Sequence, residues 1–404
     1  MKKKTTIIAL FLGSLCLTAC SNGSQKAIAF ADLTPKLTQE TKDLVMLGNA
    51  RNPRANYPDL TMLQQPILAR KVNDQYAQYP CDISWGPAIE GNRIYGIDTR
   101  GQLKIMEFAH GRLVTIVTRD LKARDKFLSA SIIKDGDKLY VSMDEELIVL
   151  KASNGRELVR KSFTSPIDGY PAVGEQYVAI RTKDGDLLVF DQRWQAVFHN
   201  STPVDTISST SGSSPFFTSG LLISDSRSGQ ILAAELKAKA VLWQGQFDTK
   251  IDTSAPKGTR CQIVASDDVL YAAYSNHLDA IHLASGKVLW SREFKDIQSM
   301  SLAGNALFVT NNAKQVAAIK TDDGKVFWAT HLDVSSANKA PVQFQSPILI
   351  QGDLMVVVDD GNMYRMNPLT GKSLDVIKVP KGVLHASVLN GRLTLFSQNK
   401  MMMF

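Results

Sequence analysis

The chain has 404 residues, 46 Lys plus Arg against 39 Asp plus Glu, a formal net charge of +7 and 44% hydrophobic residues. That length is more than one compact core usually serves, so several domains or a repeat array are expected. The positive surplus is small and evenly spread, without the basic runs a nucleic-acid surface needs, which excludes that class of partner.

The first element is a targeting segment. Lys2, Lys3 and Lys4 precede an uncharged apolar stretch from Thr5 to Leu17. A membrane-spanning helix needs ~20 residues; this stretch has the length of a signal-peptide core instead. It runs into Leu17-Thr18-Ala19-Cys20, which resembles the bacterial lipobox. The resemblance implies a signal peptide over 1–19, cleavage before Cys20, and acylation of that cysteine as the lipid attachment site. By the same resemblance, Ser21 rather than Asp after the cysteine favours the outer membrane over the inner one. Removal of the three lysines leaves a mature chain of about +4. Residues 20–63 are expected to form a lipidated tether and a short N-terminal segment. Within it 35–47 predicts a short helix, with Thr34 as N-cap and Pro35 at the first position.

From 64 onward no helical period persists, and a degenerate repeat takes over. Eight segments, at 85–98, 129–142, 170–180, 214–223, 262–271, 300–309, 346–356 and 386–395, each give an apolar strand, a Gly or Asx turn and an alternating second strand. Second turns follow near Gly101, Glu145, Gly185, Gly229, Asn276, Ala313, Gly361 and Asn399, spaced 37 to 48 residues apart. A third strand then meets a Gly-Lys or Gly-Arg turn and a fourth strand: Gly111-Arg112, Gly155-Arg156, Gly286-Lys287, Gly324-Lys325 and Gly371-Lys372. Two units lack that glycine, around Trp194 and around Lys239-Ala240. Four short strands per ~40–50 residues are the signature of a propeller blade. The fold class is therefore all-β, an eight-bladed β-propeller over 64–404.

The ends supply a closure argument. The eighth unit stops at Phe404 after three strands, while the run 67–72, Ile-Leu-Ala-Arg-Lys-Val, reads as a strand with no blade before it. Pairing that N-terminal strand with the C-terminal blade would complete blade eight and remove two unpaired edges.

The stretches 284–290, Ala-Ser-Gly-Lys-Val-Leu-Trp, and 321–328, Thr-Asp-Asp-Gly-Lys-Val-Phe-Trp, resemble the repeat of quinoprotein-type propellers. In that repeat the Trp four residues after the Gly docks between adjacent blades, which assigns inter-blade docking to Trp290, Trp328 and, in a copy that keeps only the Trp, Trp243. Thr115, Val159, Phe198 and Asp375 stand at the same phase elsewhere. Joined to a lipoprotein signal, and with 179–188 and 282–290 in support, the chain resembles the BamB family, the propeller lipoproteins of the outer-membrane β-barrel assembly machinery. The resemblance implies a non-enzymatic scaffold on the periplasmic face of the outer membrane. Its partners would be a POTRA domain of the barrel-inserting subunit and unfolded outer-membrane proteins. The family's docking loop, of Leu-x-Leu-Arg type, maps by resemblance onto 207–210, so Ile207, Ser209 and Thr210, with Asp252 in the adjacent loop, are the candidate partner-binding residues. Only Ile207 keeps the family's character there.

Catalytic chemistry is not evident. Asp267-Asp268 and Asp359-Asp360 fall at hairpin turns, where Asp suits the backbone. His277 and His282 are five apart on an expected strand and so point to opposite faces, and no metal site or cofactor is expected. Cys81 and Cys261, placed on opposite blades, are expected to remain unpaired thiols, since a disulfide needs Cα atoms within ~7 Å. A propeller lipoprotein that binds another envelope protein or a glycan stays open as the alternative, and a quinone oxidoreductase as a third reading.

Overall fold

Second strands such as Asp353–Val358 (DLMVVV) and Lys138–Met143 (KLYVSM) are apolar on both faces, so each needs cover from two sides. Fourth strands such as Arg112–Asp120 and Ser373–Lys378 are mostly exposed. A sheet buried at its first three strands and wet at its fourth is a wedge, and wedges with two apolar faces pack into a ring. The computed structural model describes residues 75–404 apart from 124–126, 175, 202–213, 226–229, 247–261, 267, 275–276, 295–296, 335–341, 351 and 398. It contains eight four-stranded antiparallel sheets: blades 1 to 7 at 85–120, 130–162, 172–201, 216–246, 262–293, 297–331 and 348–378, and blade 8 at 383–403. The first strand of blade 1 touches the first strands of both blade 2 and blade 8, so the ring is shut.

Blade 8 takes its fourth strand from the N-terminal side. That strand is Ala77–Pro80, paired antiparallel with Lys400–Met403 in the register Ala77 to Met403 and Pro80 to Lys400. This corrects the expected position: the run 67–72 lies outside the described residues, and its expected place is filled ten residues further on. The apolar run drew the expectation, but an outer strand faces solvent and needs no such run. Ala77–Pro80 is itself mostly exposed and holds its place by the ladder, by Tyr76 against Phe404 at 4.8 Å and by Tyr79 edge-on to Phe108 at 5.2 Å.

Seven blades carry a β-bulge at the same rung, just after the fourth residue of the third strand. Opposite that residue stand Val117, Val159, Phe198, Trp243, Trp290, Trp328 and Asp375. Val117, not Thr115, therefore holds the docking phase in blade 1. The hairpin joining Gln102–Ala109 to Arg112–Asp120 runs two rungs longer than its counterparts, so counting from Gly111 lands two residues short.

Each of the three indoles bridges to the next blade. Trp243, Trp290 and Trp328 donate Nε1–H to the carbonyls of Leu283, Thr321 and Pro368 at 2.7, 2.7 and 2.8 Å. The rings lie on Gly286, Gly324 and Gly371, where an added Cβ would come within 3 Å of a ring atom. These glycines also have φ near +70°, so both space and backbone exclude a side chain there. Two of the blades that lack the Trp fit the same rule, whereas Val117 of blade 1 is followed by a turn that keeps Gly155. Blades 2 and 3 carry Val159 and Phe198, and the turns that follow in blades 3 and 4 put Trp194 and Lys239 at positive φ in place of glycine.

Hydroxyl pairs reinforce the seams. Ser131 and Ser142 share a hydrogen bond of 2.6 Å beside the Gly169 carbonyl, which accepts from whichever hydroxyl does not donate within the pair, while Ser299 and Thr310 repeat the pair beside the Gln345 carbonyl. Cys81 is a buried free thiol in the apolar seam between blades 8 and 1, 3.9 Å from the sulfur of Met106. Burial, with Asp82 adding to it, pushes its pKa up to about 12, so it stays protonated and unreactive near neutral pH. Cys261 lies outside the described residues.

Candidate partner-binding face

In an antiparallel blade the connections to the next blade and the turns between second and third strands emerge on one face of the ring. Most blade-to-blade connections are short. Three are long, between Ser201 and Phe216, between Gln246 and Gln262 and between His331 and Ile348, and loops of that length usually carry function. The first two hold the four candidate residues Ile207, Ser209, Thr210 and Asp252, all outside the described residues, as are Cys20, the 20–63 segment and the expected helix at 35–47. What the structure describes is the part of blades 3 and 4 that flanks the first of these connections.

That part is built on a buried cation. Arg181 ends the second strand of blade 3, and its guanidinium lies between Asp225 at 3.2 Å, from blade 4, and Asp168 at 3.8 Å, from the connection entering blade 3. All three side chains are nearly devoid of solvent. The connection is stitched to the blade edge by Asp168 N–H to the Arg181 carbonyl at 2.7 Å and Lys183 N–H to the Pro166 carbonyl at 2.8 Å. A desolvated Arg fork between two carboxylates fixes geometry more than it adds net stability. Here it clamps the ends of the second strands of blades 3 and 4 to the connection entering blade 3. The surface above is polar: Asp186 lies 3.0 Å from His199, and the hydrogen bond from that ring holds the Asp186 carboxyl below its ordinary range.

The pocket between blades 3 and 4, lined by Arg181, Gly185, Ser224, Asp225, Gln230 and Gln244, has about 10 Å³ of open space. That is room for one water at most, not for a substrate or cofactor. Among the described residues no group of three or more His, Cys, Asp or Glu is placed to hold a metal ion. Asp359 and Asp360 stand in the turn between the second and third strands of blade 7; Asp360 binds the Asn362 amide at 3.0 Å and Asp359 the Gln343 amide at 3.1 Å.

Sequence reasoning missed one further group on this side of the ring. Asp279, on the third strand of blade 5, is buried, and its Oδ1 has no hydrogen-bond partner. Burial raises its pKa, opposed by a hydrogen bond from Ser291 and by the charge of His277. The folded protein thus binds this proton more tightly than the unfolded chain. The group costs nothing below the unfolded-state pKa, and destabilises increasingly as pH rises from there through the folded-state value. Asp279→Asn is accordingly expected to match the parent in melting temperature near pH 4 and to exceed it at pH 7. A melting series over that range checks this, and a variant less stable at pH 7 contradicts it.

Residues 109–330 and 304–374 match a family model described as outer membrane protein assembly factor BamB. Among curated relatives, an uncharacterized protein of Rickettsia prowazekii is 27% identical and aligns over 100% of this chain and 99% of its own length. The outer membrane protein assembly factor BamB of Yersinia pestis is 23% identical over 71% of this chain and 74% of its own. Among solved structures, BamB from Moraxella catarrhalis superposes with a TM-score of 0.67 at 15% identity, covering 81% of this chain and 98% of that one. That likeness speaks for the ring itself.

Proposed function

The chain belongs to the family of the outer membrane protein assembly factor BamB, and from that premise we propose that it is a non-enzymatic scaffold for inserting β-barrel proteins into the outer membrane. It holds the barrel-inserting subunit through a periplasmic POTRA domain, using the loops that carry Ile207, Ser209, Thr210 and Asp252, and presents unfolded outer-membrane proteins to it. Acylation at Cys20 keeps it on the periplasmic face of the outer membrane. The observation that carries this reading is the pairing of the family match with a closed eight-bladed ring.

The test is co-purification of the full chain from a bacterial envelope extract. Recovery of the barrel-inserting subunit supports the scaffold; recovery of a different envelope protein or a glycan in its place overturns the partner assignment. Ile207→Asp should weaken that recovery about ten- to hundredfold, because an aliphatic anchor is worth ~1.5–3 kcal/mol when buried at an interface. The melting curve should not move. Undiminished recovery would show that the contact lies elsewhere.

A further inference from the structure

The seam between blades 8 and 1 is built unlike those that carry a docking indole. In blades 4, 5 and 6 the fourth residue of the third strand faces a Trp. In blade 8 that residue is Met403, and it faces Ala77. The receiving side differs too. Blade 1 presents no broad glycine turn but a tight His110-Gly111 turn at the tip of the lengthened hairpin, and an added Cβ at Gly111 would meet nothing within 4 Å. Beside this hairpin, in the same seam, lies an open groove of about 360 Å³, lined by Tyr79, Phe108, Gly111, Asn390, Arg392 and Met403. Its walls are the projecting hairpin on one side and the first turn of blade 8 on the other.

We propose that this groove is the docking site for the run 66–72 of the same chain, Pro-Ile-Leu-Ala-Arg-Lys-Val, with Ile67 and Leu68 laid against Phe108 and Tyr79. Three observations carry the assignment. The described chain starts at Gln75 on the groove's own side of the ring, with Tyr76 packed on Phe404 and Ala77 paired to a groove wall, Met403. From Gln75 back to Leu68 is seven residues, up to ~25 Å when extended, so the aliphatic pair reaches the groove with slack to turn. A segment tethered this closely competes at millimolar effective concentration, ahead of any second molecule. The run also has the chemistry of the groove: two adjacent aliphatics for the aromatic and Met surface, then Arg70 and Lys71 to stay in water. The apolar run that the closing strand does not use thus acquires a place beside that strand.

The test places p-benzoylphenylalanine at Arg392, on the groove's rim, in the full chain. Irradiation of an equal mixture of light and heavy isotope-labelled protein should give cross-links to 64–74 within one chain only. Mixed-isotope products would mean that a second copy fills the groove, and absence of any link to 64–74 would mean that the run docks elsewhere; either overturns the assignment. A second readout needs no cross-linker. Ile67→Asp with Leu68→Asp should speed native-state hydrogen exchange at the hairpin tip, residues 108–113, at least tenfold, while Ser24→Asp in the tether leaves it unchanged. Equal exchange in the two variants sinks the proposal.

Discussion

Trp328→Ala is expected to lower the unfolding free energy by about 3–5 kcal/mol, the range for emptying a buried aromatic site that cannot collapse. The ring is among the largest fully buried side chains among the described residues, packs 6.1 Å from Phe308 and donates its indole proton to the Pro368 carbonyl. The backbone around it cannot close over the gap, because Gly371 is held at positive φ with its open side toward the indole. The carbonyl of Pro368 would lose its donor as well. Guanidinium denaturation of the two proteins, compared at equal slope, gives the difference directly. Trp243→Ala and Trp290→Ala should cost visibly less, since both rings are only partly buried. Equal losses at all three positions would mean that the hydrogen bond, which they share, and not burial, sets the value.

The same indoles mark how far the sequence was legible. Turn chemistry repeats at fixed phase because each blade solves the same problem of backbone reversal, so eight units and their order could be read directly. Strands buried on two faces announced themselves for a similar reason. The closing strand did not, because Ala77–Pro80 occupies the one kind of position that demands no apolar pattern. Blade 1's docking residue was misplaced because counting from a glycine presumes equal hairpins. At Asp375 the indole has no use: blade 8, the next in the ring, has the C-terminus and the start of the closing strand where others have a turn, and Asp375 turns instead to Arg365 at 3.4 Å. The Trp-for-glycine pairing is thus a local steric contract between neighbouring blades, visible in one chain once the register is known. The clamp at Arg181 was not legible at all. Its partner Asp225 is 44 residues away, one whole blade, and each charge looked like an ordinary strand end.

That clamp carries the second large expectation. Arg181→Met should cost about 3–5 kcal/mol, the usual consequence of removing one partner of a buried ion pair and stranding the other. Here two carboxylates, Asp168 and Asp225, would be left facing one another in a space the guanidinium filled. Most of the loss would therefore come from uncompensated charge, not from a lost attraction, and that distinction is testable. Adding Asp168→Asn and Asp225→Asn to Arg181→Met removes the stranded charge and should restore most of the stability, since buried ion clusters are commonly neutral against uncharged replacements. A triple variant no more stable than Arg181→Met would show that the guanidinium works by packing its stem and not by neutralising its neighbours. The two outcomes also differ in recovery of the partner. If the clamp fixes the blade edges on which the proposed partner contact depends, the triple variant folds well yet recovers less of the barrel-inserting subunit than the parent. If those edges are held by the backbone stitching of Asp168 and Lys183 alone, recovery is undiminished. A buried charge cluster that adds little net stability is kept for the geometry it fixes, and here that geometry is the junction of the second strands of blades 3 and 4 with the connection entering blade 3.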